Sequence, residues 1–187
     1  MKVIPVDLPG IVLIEPRLFT DLRGYFLETY QAQRYSEHGI TARFVQDNLS
    51  FSRRGVVRGL HYQLVEPQGK LVMVLQGEVL DLVVDIRQDS PTFGQWSQNT
   101  LSAENHRQLY VPPGFAHGFA VISATATVLY KVTAFYNPGD EYGIIWNDPN
   151  LGVDWPFSEA ILSDKDSKFP QLRDVPVDLL PHMANSP

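Results

Sequence analysis

Four polar side chains interrupt otherwise apolar, strand-like stretches of this sequence: His61, Lys70, His117 and Tyr130. They lie in Val57-Arg58-Gly59-Leu60-His61-Tyr62-Gln63, in Gln68-Gly69-Lys70-Leu71-Val72, in Val111-Pro112-Pro113-Gly114-Phe115-Ala116-His117-Gly118-Phe119 and in Leu129-Tyr130-Lys131-Val132. Histidine serves as a base near neutrality, a lysine ammonium stabilises an oxyanion, and a phenol donates a proton as a neutral acid. Together they suit acid–base work on an oxyanion. Each also has an ordinary structural use. His117 follows a Pro-Pro-Gly turn that a side chain can brace, Lys70 can snorkel at a barrel rim, and strand tyrosines commonly pack with a hydrogen-bonded tip.

The His61 and His117 segments resemble the two motifs of the cupin barrel. A metal-binding cupin offers His-x-His and then a Glu in the first motif, with a third His in the second. Here the first motif reads His61-Tyr62-Gln63, Lys70 falls near the place of the acidic ligand, and the second keeps Pro112-x-Gly114-x-x-His117. An ammonium repels a divalent cation and has no lone pair to give, so this set predicts no metal site and no cofactor.

The elements that would position these residues read as strands: Val57–Gln63, Lys70–Val74, Glu78–Arg87, Phe93–Leu101, Arg107–Val111, Phe115–Ile122 and Thr125–Phe135. They are short, rich in Val, Tyr and Phe, and punctuated by Gly or Pro, which predicts an all-β sandwich or barrel. In Glu78–Arg87, Leu80, Leu82, Val84 and Ile86 share one face, while Val79, Asp81, Val83 and Asp85 share the other. The two carboxylates place that second face toward solvent, since a carboxylate in a barrel lumen needs a Lys, Arg or His partner. One helix is expected over Gln31–His38, with Gly39 ending it, and a short turn near Ser158–Leu162. From Asp148 to Pro187 the chain is rich in Pro and Asp with weak periodicity, so the barrel core is set at about residues 10–147 and a wrapping tail at about 148–187 of a single domain.

The composition fits that frame. The chain has 187 residues, 44% of them hydrophobic, with a net charge of −6 and no cysteine, so disulfides, thiolate ligands and cysteine nucleophiles are excluded. An acidic chain lacks the clustered basic face that nucleic acid needs. Pro5 and Pro9 interrupt any N-terminal apolar run, and no later segment approaches a membrane span, so a cytoplasmic protein is expected.

A specific resemblance runs from about Gly10 to Asp166. It is carried by Asp21-x-Arg23-Gly24-x-Phe26-x-Glu28, Phe44-Val45-Gln46-Asp47-Asn48, Val57-Arg58-Gly59-Leu60-His61, Gln68-Gly69-Lys70-Leu71-Val72 and Asp85-Ile86-Arg87. It continues through Ser90-Pro91-Thr92-Phe93-Gly94-Gln95-Trp96, Pro113-Gly114-Phe115-Ala116-His117-Gly118-Phe119, Tyr130-Lys131, Trp146-Asn147-Asp148-Pro149 and Leu162-Ser163-Asp164-Lys165-Asp166. In these stretches the sequence resembles the dTDP-4-dehydrorhamnose 3,5-epimerase family. The resemblance implies a cupin-type jelly-roll barrel with few short helices, no metal, a dTDP-4-keto-6-deoxyhexose substrate, and a homodimer that exchanges N-terminal strands. It implies His61 as general base, Asp166 as the carboxylate that orients it, Tyr130 as proton donor on the opposite face, and Lys70 and His117 around the keto oxygen and ring. It further implies that Arg23, Glu28, Gln46, Asp47, Asn48 and Arg58 hold the nucleotide and its pyrophosphate, that Tyr136 stacks near the base, and that Glu141 and Lys165 make further substrate contacts.

Elementary chemistry agrees with such roles. A C4 ketone acidifies the protons on C3 and C5, a neutral imidazole removes them, and inversion needs a second acid on the other face. On a regular strand Tyr130 and Tyr136 would share a face roughly 20 Å apart. Arg58 and His61 would take opposite faces, so both can point inward only if Gly59 makes a bulge. Three alternatives stand beside this reading: an epimerase acting only at C3 or only at C5, a metal-dependent cupin enzyme, and a non-catalytic nucleotide-sugar binding module.

Overall fold

In the computed structural model, which describes residues 1–183, the chain folds into thirteen strands. They are β1 (Lys2–Ile4), β2 (Val12–Glu15), β3 (Leu18–Asp21), β4 (Gly24–Leu27), β5 (Gln46–Arg53), β6 (Val57–Gln63), β7 (Lys70–Gln76), β8 (Glu78–Asp85), β9 (Trp96–Ser102), β10 (Gln108–Val111), β11 (Phe115–Val121), β12 (Thr125–Val132) and β13 (Glu141–Gly143). A six-stranded sheet runs β1-β2-β10-β7-β12-β5, a five-stranded sheet runs β13-β6-β11-β8-β9, and β3 and β4 form a separate hairpin. The two large sheets close on each other as a cupin-like jelly roll. Their facing side chains, among them Val72, Val74, Val79, Val83, Leu109, Phe115, Phe119 and Val128, make the inner core. Helix α1 (Ala32–Ser36) sits within the expected helical span. Gln31 caps its N-terminus, and Gly39 takes a positive φ of 85° beyond its end.

Strand β8 corrects the sequence expectation. Asp81 and Asp85 are fully buried, not solvated. The five-stranded sheet is covered on both faces: the barrel lumen takes Val79 and Val83, while Leu82, Val84 and Ile86 pack under Leu172, Val175 and Leu180 of the C-terminal segment. The all-apolar face is therefore the outer one, hidden by a tail whose placement periodicity cannot report. Each carboxylate has its partner. Asp81 bonds His117, and Asp85 accepts from Arg87, Ser90 and Thr92. Burial would raise the Asp85 carboxyl, but those donors hold it below the ordinary carboxylate range.

The expected bulge at Gly59 is present. His117 pairs with His61 and Phe119 with Arg58, so two residues of β6, Gly59 and Leu60, oppose the single Gly118 of β11. Gly59 takes a φ of +119°, which brings Arg58 and His61 to the same side. Other boundaries differ from the sequence reading. β12 stops at Val132, because the backbone beyond it serves the end of β6 and the loop ahead of β7: Thr133 N donates to Gly69 O, and the carbonyls of Ala134 and Phe135 accept from Gln68 and Gln63. Tyr136 thus lies on a loop and not at a regular-strand distance from Tyr130. In the stretch 158–162 the chain bends at Ser158, and Ile161 bridges to Val56.

Candidate active site

Side chains of both sheets and of the C-terminal segment line a cavity of about 660 Å³ in the barrel mouth. From β5 come Gln46, Asn48 and Ser50; from β6 Arg58, His61 and Gln63; from β7 Lys70; from β11 His117; and from β12 Tyr130. Alternation along β5 and β12 aims these residues inward because their neighbours take the outer face. Lys131 and Asp47, paired across the two strands in register, form an external ion pair at 2.8 Å.

His61 is hydrogen-bonded at one ring nitrogen and has a second carboxylate near the other. Its Nε2 lies 2.8 Å from Asp166 Oδ1, and its Nδ1 lies 3.7 Å from Glu141 Oε1. The carboxylate of Asp166 accepts the Nε2 hydrogen, so Nδ1 carries the lone pair. Asp166 Oδ2 also accepts from Gly59 N at 3.3 Å, and Ser163 Oγ accepts from Asp166 N at 3.1 Å. Burial would raise the Asp166 carboxyl, yet His61, Gly59 and Ser163 keep it low. It stays an anion that orients the imidazole.

Glu141 is the second hub. Its Oε2 accepts from Tyr136 Oη at 2.7 Å and from Lys165 Nζ. Burial favours its protonation, but Lys165, Tyr136 and His61 hold its carboxyl down. The same bond pushes the Tyr136 phenol up to about 12. The preceding Asp140 is buried and accepts from the backbone N–H groups of Leu64, Val65 and Glu66. It thereby ties the turn that delivers Glu141 to the loop that leads into Lys70.

Lys70 does not snorkel to solvent. Its Nζ lies 3.5 Å from the His61 carbonyl, and burial pulls its ammonium down to about 8, with Glu141 and Asp81 opposing. Burial raises the Tyr130 phenol, with Arg58 pulling it back and Glu141 pushing it up, so it is a neutral donor at ordinary pH. The Nε of Arg58 donates to Ser52 Oγ at 2.9 Å. His117 lines the cavity with its Nε2 on Asp81, so it does more than brace its turn.

The cavity of one chain thus gathers His61, Tyr130, Asp166, Lys70, Gln46, Asn48, Arg58, His117, Tyr136, Glu141 and Lys165. It does not gather Arg23, Glu28 or Asp47. Arg23 sits at the tip of the β3–β4 hairpin on Asp21, Glu28 pairs with Arg34 at 3.3 Å, and Asp47 faces outward on Lys131. Sequence reasoning missed Asp81, Asp140, Ser52 and Ser163 as supports. For Asp81 the signal was present: a carboxylate on an otherwise apolar strand. Among the described residues no group of three or more His, Cys, Asp or Glu is placed to hold a metal ion.

The family model for dTDP-4-dehydrorhamnose 3,5-epimerase matches residues 5–174. This chain belongs to that family. It is 53% identical over 168 residues to the dTDP-4-dehydrorhamnose 3,5-epimerase of Pseudomonas aeruginosa, covering 89% of this chain and 93% of that one. With the enzyme of the same name from Methanothermobacter thermautotrophicus it shares 48% over 181 residues, covering 95% and 98%. The crystal structure of the dTDP-6-deoxy-D-glucose-3,5-epimerase of Legionella pneumophila, in complex with dTDP-4-keto-L-rhamnose, is 50% identical and superposes with a TM-score of 0.95 over 98% of both chains. The epimerase family and the barrel are thereby established together. No helix among the described residues is long and apolar enough to cross a membrane.

Proposed function

We propose that this protein is an isomerase that converts dTDP-4-dehydro-6-deoxy-D-glucose to dTDP-4-dehydro-L-rhamnose by inverting C3 and C5. The observation that carries the reading is the His61–Asp166 pair, which shares one cavity with Tyr130 and Lys70. His61 Nδ1 takes the proton from the carbon next to the C4 ketone, and the C–H electron pair moves into the new C=C bond as the carbonyl electrons move to oxygen. Lys70 stabilises that oxygen. Tyr130 returns a proton to the other face, after which His61 and Tyr130 exchange protons with water. The sequence repeats at the second carbon. Every group this needs is a side chain of the cavity.

Arg23 and Glu28 belong to the same proposal. The hairpin that carries them exposes Phe19, Tyr25, Phe26 and the fully exposed Leu22, an apolar surface that a lone chain leaves in water. In a homodimer with exchanged N-terminal strands, the hairpin reaches the partner's cavity, and Arg23 meets the pyrophosphate there as a charge-assisted partner.

The test is incubation of chelator-treated protein with dTDP-4-keto-6-deoxyglucose in heavy water, followed by NMR and mass spectrometry. Deuterium at C3 and C5, with the L-configured product trapped by a reductase, is the expected result. Deuterium at one carbon alone would make this a single-centre epimerase, and none would overturn the proposal.

A further inference from the structure

The mechanism above leaves the buried carboxylate of Asp81, the one that faces His117, unused. Asp81 is 0% exposed, and both its oxygens lie 2.9 Å from His117 Nε2. Its carboxylate has no other hydrogen-bond partner among the described residues. Asp81 sits on β8 directly opposite Phe119 of β11, two residues from His117 on the same face. A carboxylate this deep is sustained only by a donor, so Nε2 of His117 carries hydrogen and Nδ1 is the ring nitrogen left for a ligand. His117 and Lys70 line the same cavity, and Asp81 also acts electrostatically on Lys70. A neutral ring would turn a lone pair toward an enolate oxygen. The imidazolium donates at both nitrogens, and Asp81 supplies the compensating charge inside the barrel.

We propose that Asp81 is a positioning residue for the epimerisation: it fixes His117 so that Nδ1–H joins Lys70 as a second donor to the enolate oxygen. This rests on the reading of the reaction given above. Nothing covalent changes at His117 or Asp81. The proton leaves carbon for His61, charge gathers on the C4 oxygen between Lys70 and His117, and it returns to carbon when Tyr130 protonates. Both centres share this oxygen, so both depend on Asp81 equally.

Two measurements decide it. The first is the ring 15N spectrum of His117 in the unliganded wild-type protein, assigned by comparison with His117→Ala. Hydrogen on both ring nitrogens is expected, and a ring carrying hydrogen on one nitrogen only, whether Nδ1 or Nε2, overturns the proposal. The second is Asp81→Asn, which keeps the shape of the side chain and removes its charge. Loss of one donor to a developing oxyanion lowers kcat about 100-fold, with KM within about threefold and deuterium entry at C3 and C5 slowed alike. In a His117→Ala background the same substitution should cost no further activity. A further loss there, or kcat of the single variant within about threefold of wild type, refutes the role. If Asp81→Asn fails to fold, the wild-type spectrum still decides. If the wild type exchanges at neither carbon, the proposed reaction falls, while the spectrum still reports on the Asp81–His117 pair.

Discussion

Alanine at Gly59 would strike the point where barrel wall and base are joined. A Cβ built there meets Gly118 Cα at 2.7 Å and His117 O at 2.8 Å, both backbone atoms of the paired strand, at a φ of +119°. A side chain in that glycine-only region costs about 1–3 kcal/mol. Relieving two backbone contacts needs strand movement of the kind that overpacking imposes, about 1–3 kcal/mol more. We expect a loss of about 4 kcal/mol, a large part of a typical domain's 5–15 kcal/mol. The approach is equally close from the other strand, where a Cβ placed on Gly118 would run into Arg58 O. Moving β6 also displaces Gly59 N and His61 from the Asp166 carboxylate they share. Urea unfolding should therefore show a lower midpoint at unchanged m-value, and the folded fraction should exchange substrate deuterium at least tenfold more slowly. A stability change under about 1 kcal/mol with full exchange would refute the claim that this close approach holds the base.

Four further outcomes follow from the same geometry. Lys70 is charged below about 8 and neutral above it, so kcat/KM should fall on the alkaline side near pH 8. Lys70→Arg should carry that limb upward, and a limb that stays in place would remove Lys70 as its source. Asp166→Asn should lower kcat by about 10,000-fold, the scale seen when a carboxylate that orients a catalytic histidine loses its charge, and steady-state rates check this. Tyr130→Phe should keep deuterium exchange from the abstracted face while net inversion fails, which NMR of the recovered sugar distinguishes. Arg23→Ala and His61→Ala chains, each inactive alone, should regain about one quarter of wild-type activity when refolded together, because one site of each mixed dimer is intact. Recovery of none would place the hairpin in its own chain's cavity.

Much of this protein is written locally. Strand character, Gly and Pro punctuation and the odd polar residues at His61, Lys70, His117 and Tyr130 depend on a few neighbouring residues, so the sequence alone reaches the barrel and most of its cavity. The bulge at Gly59 was legible too, since only an extra residue on β6 can bring both Arg58 and His61 inward. The inside and outside of β8 were not. Alternation divides its residues into two faces but cannot say which is covered, and the C-terminal segment buries the apolar one. The end of β12 at Val132 likewise depends on Gln63, Gln68 and Gly69 claiming its backbone from about 65 residues away. Asp166 reaches His61 across 105 residues of chain, and Asp81 reaches His117 across 36. The sequence determines which residues are candidates for the chemistry, because composition and spacing are local. Tertiary structure alone decides which carboxylate each histidine faces, because charge pairing in a buried barrel is set by distance in space.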